Sequence, residues 1–164
     1  MRNPARGTVR AKAVIAGHSR QAVFDAIRNM DKWSSWNTTF SVTLADGASE
    51  VREGVGIAIT SRWEDGSTDT SSEKICALQE GKYLAWRYSG MPWWLLSATH
   101  HVTFEDAADG VEVDSLEDFS GPLVLFLHAL GKLPLVQAGF SKFLQELQQH
   151  LDGQLATPSR LGFR

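Results

Sequence analysis

Apolar and polar residues alternate over most of this chain, and only two stretches change to a helical period. "TVRAKAVIA", residues 8–16, places Val9, Ala11, Ala13 and Ile15 on one face, which predicts a strand. In "HSRQAVFDAIRNM" Val23, Ile27 and Met30 recur four and three apart with Phe24 beside them. Ser19 is placed to cap that amphipathic helix. "MDKWSSWN" follows, and the spacing of Trp33 and Trp36 puts both on one side of a short helical turn. Alternation then resumes. Phe40, Val42 and Leu44 share a face in 39–46, as do Val55, Ile57, Ile59, Ser61 and Trp63 in 55–63. "EDGS" reads as a hairpin turn. "TSSEKICAL" and "YLAWRYSG" predict two strands divided at Gly81. "LSATHHVTFE" and "GVEVDSLEDF" predict a hairpin around "DAADG".

Past Gly121 the period becomes helical. Val136, Phe140, Phe143, Leu144, Leu147 and Leu151 predict a long helix near 134–152. "GKLP", 131–134, should break or kink it, and Gly153 should end it. The tail "QLATPSRLGFR" lacks any period and is expected to be disordered. The order is strand, helix, short helix, about six strands, long helix. This is an α+β fold with an antiparallel sheet of six or seven strands. Such a sheet is apolar on one face, and the C-terminal helix is the element large enough to cover it. A curved sheet around one helix leaves space between them, so a cavity is expected there. One domain spanning 8–152 is expected, with flexible termini at 1–7 and 153–164.

The totals narrow the choices. A chain of 164 residues suits a single core. A net charge of −3 does not call for nucleic acid, and the basic residues Arg2, Arg6, Arg10 and Lys12 read as a solvated start. The lone cysteine, Cys76, excludes an internal disulfide and a cysteine-based zinc cluster. Residues 1–12 lack the apolar core of a signal peptide. "PLVLFLHAL", 122–130, is too short to span a bilayer and reads as core or as a cavity mouth. A cytoplasmic protein is expected, and "NTT" at 37–39 then has no meaning as a glycosylation site.

The quoted segments resemble the START-like, or SRPBCC, superfamily with its helix-grip fold, also that of the birch-pollen allergen. The resemblance is carried by Trp33, Trp36 and Asn37 after the first helix and by Leu84 and Trp86 on a middle strand. It continues with His100, Val102, Phe104 and Glu105, then Glu117, Phe119 and Gly121 before the last helix. Val102 departs from the pattern, where an aromatic residue is usual. The resemblance covers about 8–152 and implies a hydrophobic ligand cavity. It implies no particular reaction, because polyketide cyclases, dehydratases, lipid carriers and co-chaperones share the fold.

Candidate chemistry lies on the last hairpin. Taking Phe104 opposite Val111 puts Val102 opposite Val113, His100 opposite Ser115 and Ala98 opposite Glu117. His100, Ser115 and Glu117 then extend the apolar face inward, and His100 and Glu117, as diagonal neighbours, can pair as an acid/base unit. The bland alternative is a polar pair that fixes the sheet end. His101 should face out. Trp36, Trp63, Trp86, Tyr88, Trp94, Ser115 and Phe119 are candidate ligand-binding residues of the cavity, or in part core, since aromatics bury large areas in any fold. Trp93 and Trp94 in "MPWW" suit a lid, a partner contact or a membrane contact. No metal site or cofactor is expected: adjacent strand histidines point to opposite faces, and no phosphate loop or nucleophile elbow is present. Three readings compete. The first is a binder of a small hydrophobic or aromatic molecule, the second a cyclase- or dehydratase-like enzyme using His100 and Glu117. The third is a co-chaperone-like interaction module. The oligomeric state is open.

Overall fold

The computed structural model describes residues 5–156. The chain runs β1 (Arg6–Ala16), α1 (Arg20–Arg28), a 3-10 turn (Met30–Ser35), β2 (Phe40–Leu44), β3 (Gly56–Arg62), β4 (Thr68–Gln79), β5 (Tyr83–Tyr88), β6 (Ser97–Ala107), β7 (Gly110–Ser120), α2 (Val124–Ala129) and α3 (Lys132–Ala156). The seven strands form one antiparallel sheet in the order β1-β7-β6-β5-β4-β3-β2. This is the expected helix-grip fold.

The helices form for the expected reasons. Ser19 Oγ accepts the Ala22 amide at 3.2 Å, and α1 buries Val23, Phe24 and Ile27. The turn after it is knotted by buried Asn37. Its Nδ2 donates to the carbonyls of Trp33 and Phe40, while its Oδ1 accepts the amides of Thr39 and Phe40. One side chain thus closes the 3-10 turn and starts β2.

Helix α3 buries Leu133, Phe140, Phe143, Leu144, Leu147 and Leu151 against the sheet. It also ties down both sheet ends. Gln137 and Gln148 each exchange hydrogen bonds with the backbone of β1, at Arg10 and Ala16. Glu146 takes the Thr38 amide and hydroxyl, just before β2, at 2.9 and 2.6 Å. Backbone groups of an edge strand that would otherwise be open are thereby satisfied.

Several boundaries differ from expectation. Strand β1 begins at Arg6 and α3 continues to Ala156, so the expected domain limits of 8 and 152 fall inside regular structure. Gly153 does not end α3 but lies within it. Of the expected flexible termini, 1–4 and 157–164 lie outside the described residues. "GKLP" does divide the helices. Gly131 takes a left-handed φ of 64°, and Pro134 then falls in the first turn of α3, where no amide partner is lost.

The last hairpin is offset by two residues from its expected register. Phe104 faces Val113, Val102 faces Ser115, and His100 faces Glu117, because the tight turn sits at Ala108–Asp109. An offset of two keeps every side chain on its face, so the inward set survives while each cross-strand partner changes.

Candidate functional site

A cavity of about 370 Å³ lies between the sheet and α3. Trp33 from the 3-10 turn and Phe40 from β2 wall it at one side, with Phe140, Phe143 and Leu144 of α3 above. Its floor is formed by the inward residues of β3 to β7, among them Ile59, Trp86, Ala98, Val102 and Phe119. Leu127 and Leu130 at α2 and Leu133 of α3 complete it. This is the apolar face that the alternation predicts.

Polar groups interrupt that lining at chosen points. His100 is only 7% exposed and lies between two rings, Trp86 at 4.3 Å and Phe140 at 4.5 Å between centroids. Its Nε2 is 2.7 Å from Ser115 Oγ. Burial, with His101 adding to it, lowers the imidazole to about 3, so the ring is neutral at physiological pH. Glu117 stands directly opposite His100 in the ladder, yet the expected His100–Glu117 pair does not form. The imidazole turns to Ser115 instead, and a neutral ring offers no charge to hold a carboxylate. Enclosure in protein, with the nearby charge of Glu73 second, pushes the Glu117 carboxyl up to about 8. Among the described residues no side chain hydrogen-bonds to it.

Glu73 was not singled out by sequence. It shares the inward face of β4 with Ser71 and Ile75, and it too lines the cavity. Desolvation raises its carboxyl to about 7, although Ser71 opposes the rise by hydrogen bonding. The alternation Ser71, Glu73, Ile75 is the signal that could have found it, since a carboxyl in phase with a buried isoleucine faces inward. At the rim Trp63 Nε1 donates to Asp69 Oδ2 at 2.7 Å, and Lys132 Nζ is 3.7 Å from the same oxygen. The Trp63 ring lies against α3 at Gly139, where a Cβ would come within 2.8 Å of it.

Of the other expected residues, Trp63, Trp86, Tyr88, Ser115 and Phe119 line the cavity, whereas Trp36 and Trp94 do not. Trp36 stacks on His150 at 5.3 Å and packs on Phe143 at 5.0 Å, flanking α3 from outside. Trp33 takes the inward place because the tight turn aims its indole at the core, where Nε1 donates to the Ile27 carbonyl. Trp94 is 61% exposed and Trp93 79%. Their loop is joined to the start of α2 by the bond from Leu123 N to Leu95 O. There Leu125, Phe126 and Leu130 are exposed as well.

Residues 6–152 match the family model described as polyketide cyclase / dehydrase and lipid transport. The chain belongs to that family. Among solved structures, its fold is similar to the di-domain ARO/CYC StfQ from the steffimycin biosynthetic pathway. The TM-score is 0.72 at 12% identity, covering 94% of this chain and 54% of that one. For the di-domain ARO/CYC BexL from the BE-7585A biosynthetic pathway the TM-score is 0.70 at 13% identity, covering 91% and 51%. The chain therefore spans about half the length of these two proteins. Ara h 8.0201 matches with a TM-score of 0.62 at 17% identity, covering 90% of this chain and 99% of that one. No curated protein matches. At such identities these likenesses show the fold alone.

The chemistry open to this member of the polyketide cyclase / dehydrase and lipid transport family is limited by its electrostatics. An imidazole lowered to about 3 is a poor base at neutral pH, so Ser115 is not activated as a nucleophile by His100. A carboxyl held near 8 keeps its proton at pH 7 and can donate it or a hydrogen bond. Among the described residues no group of three His, Cys, Asp or Glu side chains could hold a metal ion. Among them no helix is long and apolar enough to cross a membrane.

Proposed function

We propose that this chain binds a small hydrophobic or aromatic molecule in the cavity between sheet and α3. The observation that carries the reading is the cavity itself: about 370 Å³, walled by Trp33, Trp63, Trp86, Tyr88 and Phe140. That volume falls within the roughly 300–1,000 Å³ typical of small-molecule pockets. Burial of an apolar ligand there supplies affinity, and the few polar groups orient it. Native mass spectrometry of the purified protein should show a retained molecule. Calorimetric titration with naphthalene-sized probes should show binding that Ala98→Phe, which fills the floor, abolishes. Probes that bind the Ala98→Phe protein unchanged would place binding elsewhere and sink the reading.

A second reading, acid/base catalysis of the cyclase or dehydratase kind, is supported by the place of Glu117 in the cavity lining, where enclosure pushes its carboxyl up to about 8. Glu117 serves there as general acid, and the neutral His100–Ser115 pair orients a carbonyl or hydroxyl. On this reading Glu117→Gln lowers turnover by roughly 10²–10⁴ while ligand still binds. Unchanged turnover in that variant would leave binding alone.

A further inference from the structure

Glu73 and Glu117 reach the same cavity from β4 and β7, and among the described residues no basic group pairs with either. Elements α1, the 3-10 turn, β2, β3 and α2 bring no titratable group to the lining. From β6 comes His100, whose Nε2 is engaged with Ser115 and whose ring is neutral. From β5 comes the Tyr88 phenol, and from β4 also Asp69. Among the described residues the one cation in the lining is Lys132 of α3, which sits by Asp69 at the rim and holds neither carboxyl down. Glu117 is enclosed by protein, yet no buried side-chain oxygen among the described residues is cut off from a partner. Its oxygens therefore open onto the cavity space rather than onto a neighbouring group.

Two acids facing one apolar space without a counter-charge are costly to retain in a pocket meant for hydrocarbon alone. The rings around them add a preference. Trp86 precedes Tyr88 by two on β5, so both face inward, and Tyr88 is the ladder partner of Glu73. Aromatic faces attract cations and give nothing comparable to anions.

We propose that the cavity takes a hydrophobic molecule carrying a protonated amine, its nitrogen held by Glu73 and Glu117 beside the Trp86 and Tyr88 rings that share the lining. The inference rests on the small-molecule reading above and names the ligand class. The cation enters with one positive charge, and a carboxyl releases its proton to solvent to become the counter-ion. The raised positions of both acids, about 7 and about 8, make that release measurable near neutral pH. A carboxylate in the pair is then stabilised by the ammonium instead of repelled by its neighbour.

The test compares 2-naphthylmethylamine with its neutral counterpart 2-naphthylmethanol by titration calorimetry. The two share shape and apolar area and differ in charge. At pH 8 the amine should bind about tenfold or more tightly than the alcohol. The preference should shrink towards unity at pH 5.5, where both carboxyls hold their protons. Titrations of the amine at pH 7 in two buffers of different ionisation enthalpy should reveal proton release. In the Glu73→Gln/Glu117→Gln double variant the preference should vanish while alcohol binding persists, which also shows that the variant is folded. Equal affinity of the two probes at pH 8, or a preference that survives the double substitution, overturns the amine proposal and leaves the cavity reading intact. Binding of neither probe overturns both.

Discussion

Replacing Glu117 by Gln should make the protein more stable as pH rises. The carboxyl titrates near 4.5 in the unfolded chain and near 8 in the folded one, because enclosure disfavours its charge. Below pH 4.5 both states hold the proton and the group adds no pH dependence. Between 4.5 and 8 the unfolded state gives up its proton while the native state keeps it, so native stability falls as pH rises. The full gap corresponds to roughly 5 kcal/mol, a ceiling that water entering the cavity reduces. Half of it, about 2–3 kcal/mol, would move the melting temperature by roughly 4–12 °C in a chain of this size. Glutamine has nearly the shape of the protonated acid and no charge to lose. The two proteins should therefore melt together at pH 4.5 and separate progressively towards pH 8, the variant higher. His100 acts oppositely, since its folded-state value near 3 lies below 6.5, so stability is lost as pH falls below that value. It is present in both proteins and cancels from their difference, while in the parent the two groups together favour maximal stability between about pH 4.5 and 6.5. Melts at half-unit intervals from pH 4.5 to 8, on protein free of ligand, check the reasoning. A difference that stays flat across that range would mean that Glu117 is solvated, and would remove the basis of its acid role.

Other substitutions test how the cavity is built. Trp33→Ala should cost about 3–5 kcal/mol in urea denaturation, because Trp33 packs on Phe40, Trp86 and Phe143 and donates to Ile27. Trp36→Ala should cost only about 1–2 kcal/mol and leave probe affinity unchanged, since Trp36 lies outside the lining. Asn37→Ala should cost at least about 2 kcal/mol by the same assay, for it strands buried backbone groups on both sides of the turn. Gly139→Ala gains about 1 kcal/mol of helix propensity, but its methyl would meet Trp63 at 2.8 Å. The net result should be destabilisation by about 1–3 kcal/mol with weakened probe binding, and a variant more stable than the parent would refute the close approach.

The alternation of Val9, Ile15, Ile57, Ile59, Val102, Phe104, Val111 and Val113 determines by itself which faces are buried. The reason is that strand side chains have a strict period of two, so burial is a local property of the pattern. The change to helical spacing after Gly121 likewise determines a covering helix, and sheet plus helix leave few other architectures. The inward direction of His100, Ser115 and Glu117 follows from the same parity and survives the two-residue offset of the hairpin.

Partnership is a different matter, because it depends on distances between segments far apart in the chain. Only the folded sheet brings Glu73 from β4 to the cavity that Glu117 reaches from β7. Only the assembled site sends the His100 imidazole to Ser115 rather than to the carboxyl opposite. The choice of Trp33 over Trp36 for the interior hangs on the geometry of one 3-10 turn and on the position of Phe143 above it. Gly153, a helix stop by composition, lies within α3, in whose buried face Leu151 continues the packing of Leu147. In each case the local pattern left more than one outcome open, and contacts made across the fold selected one.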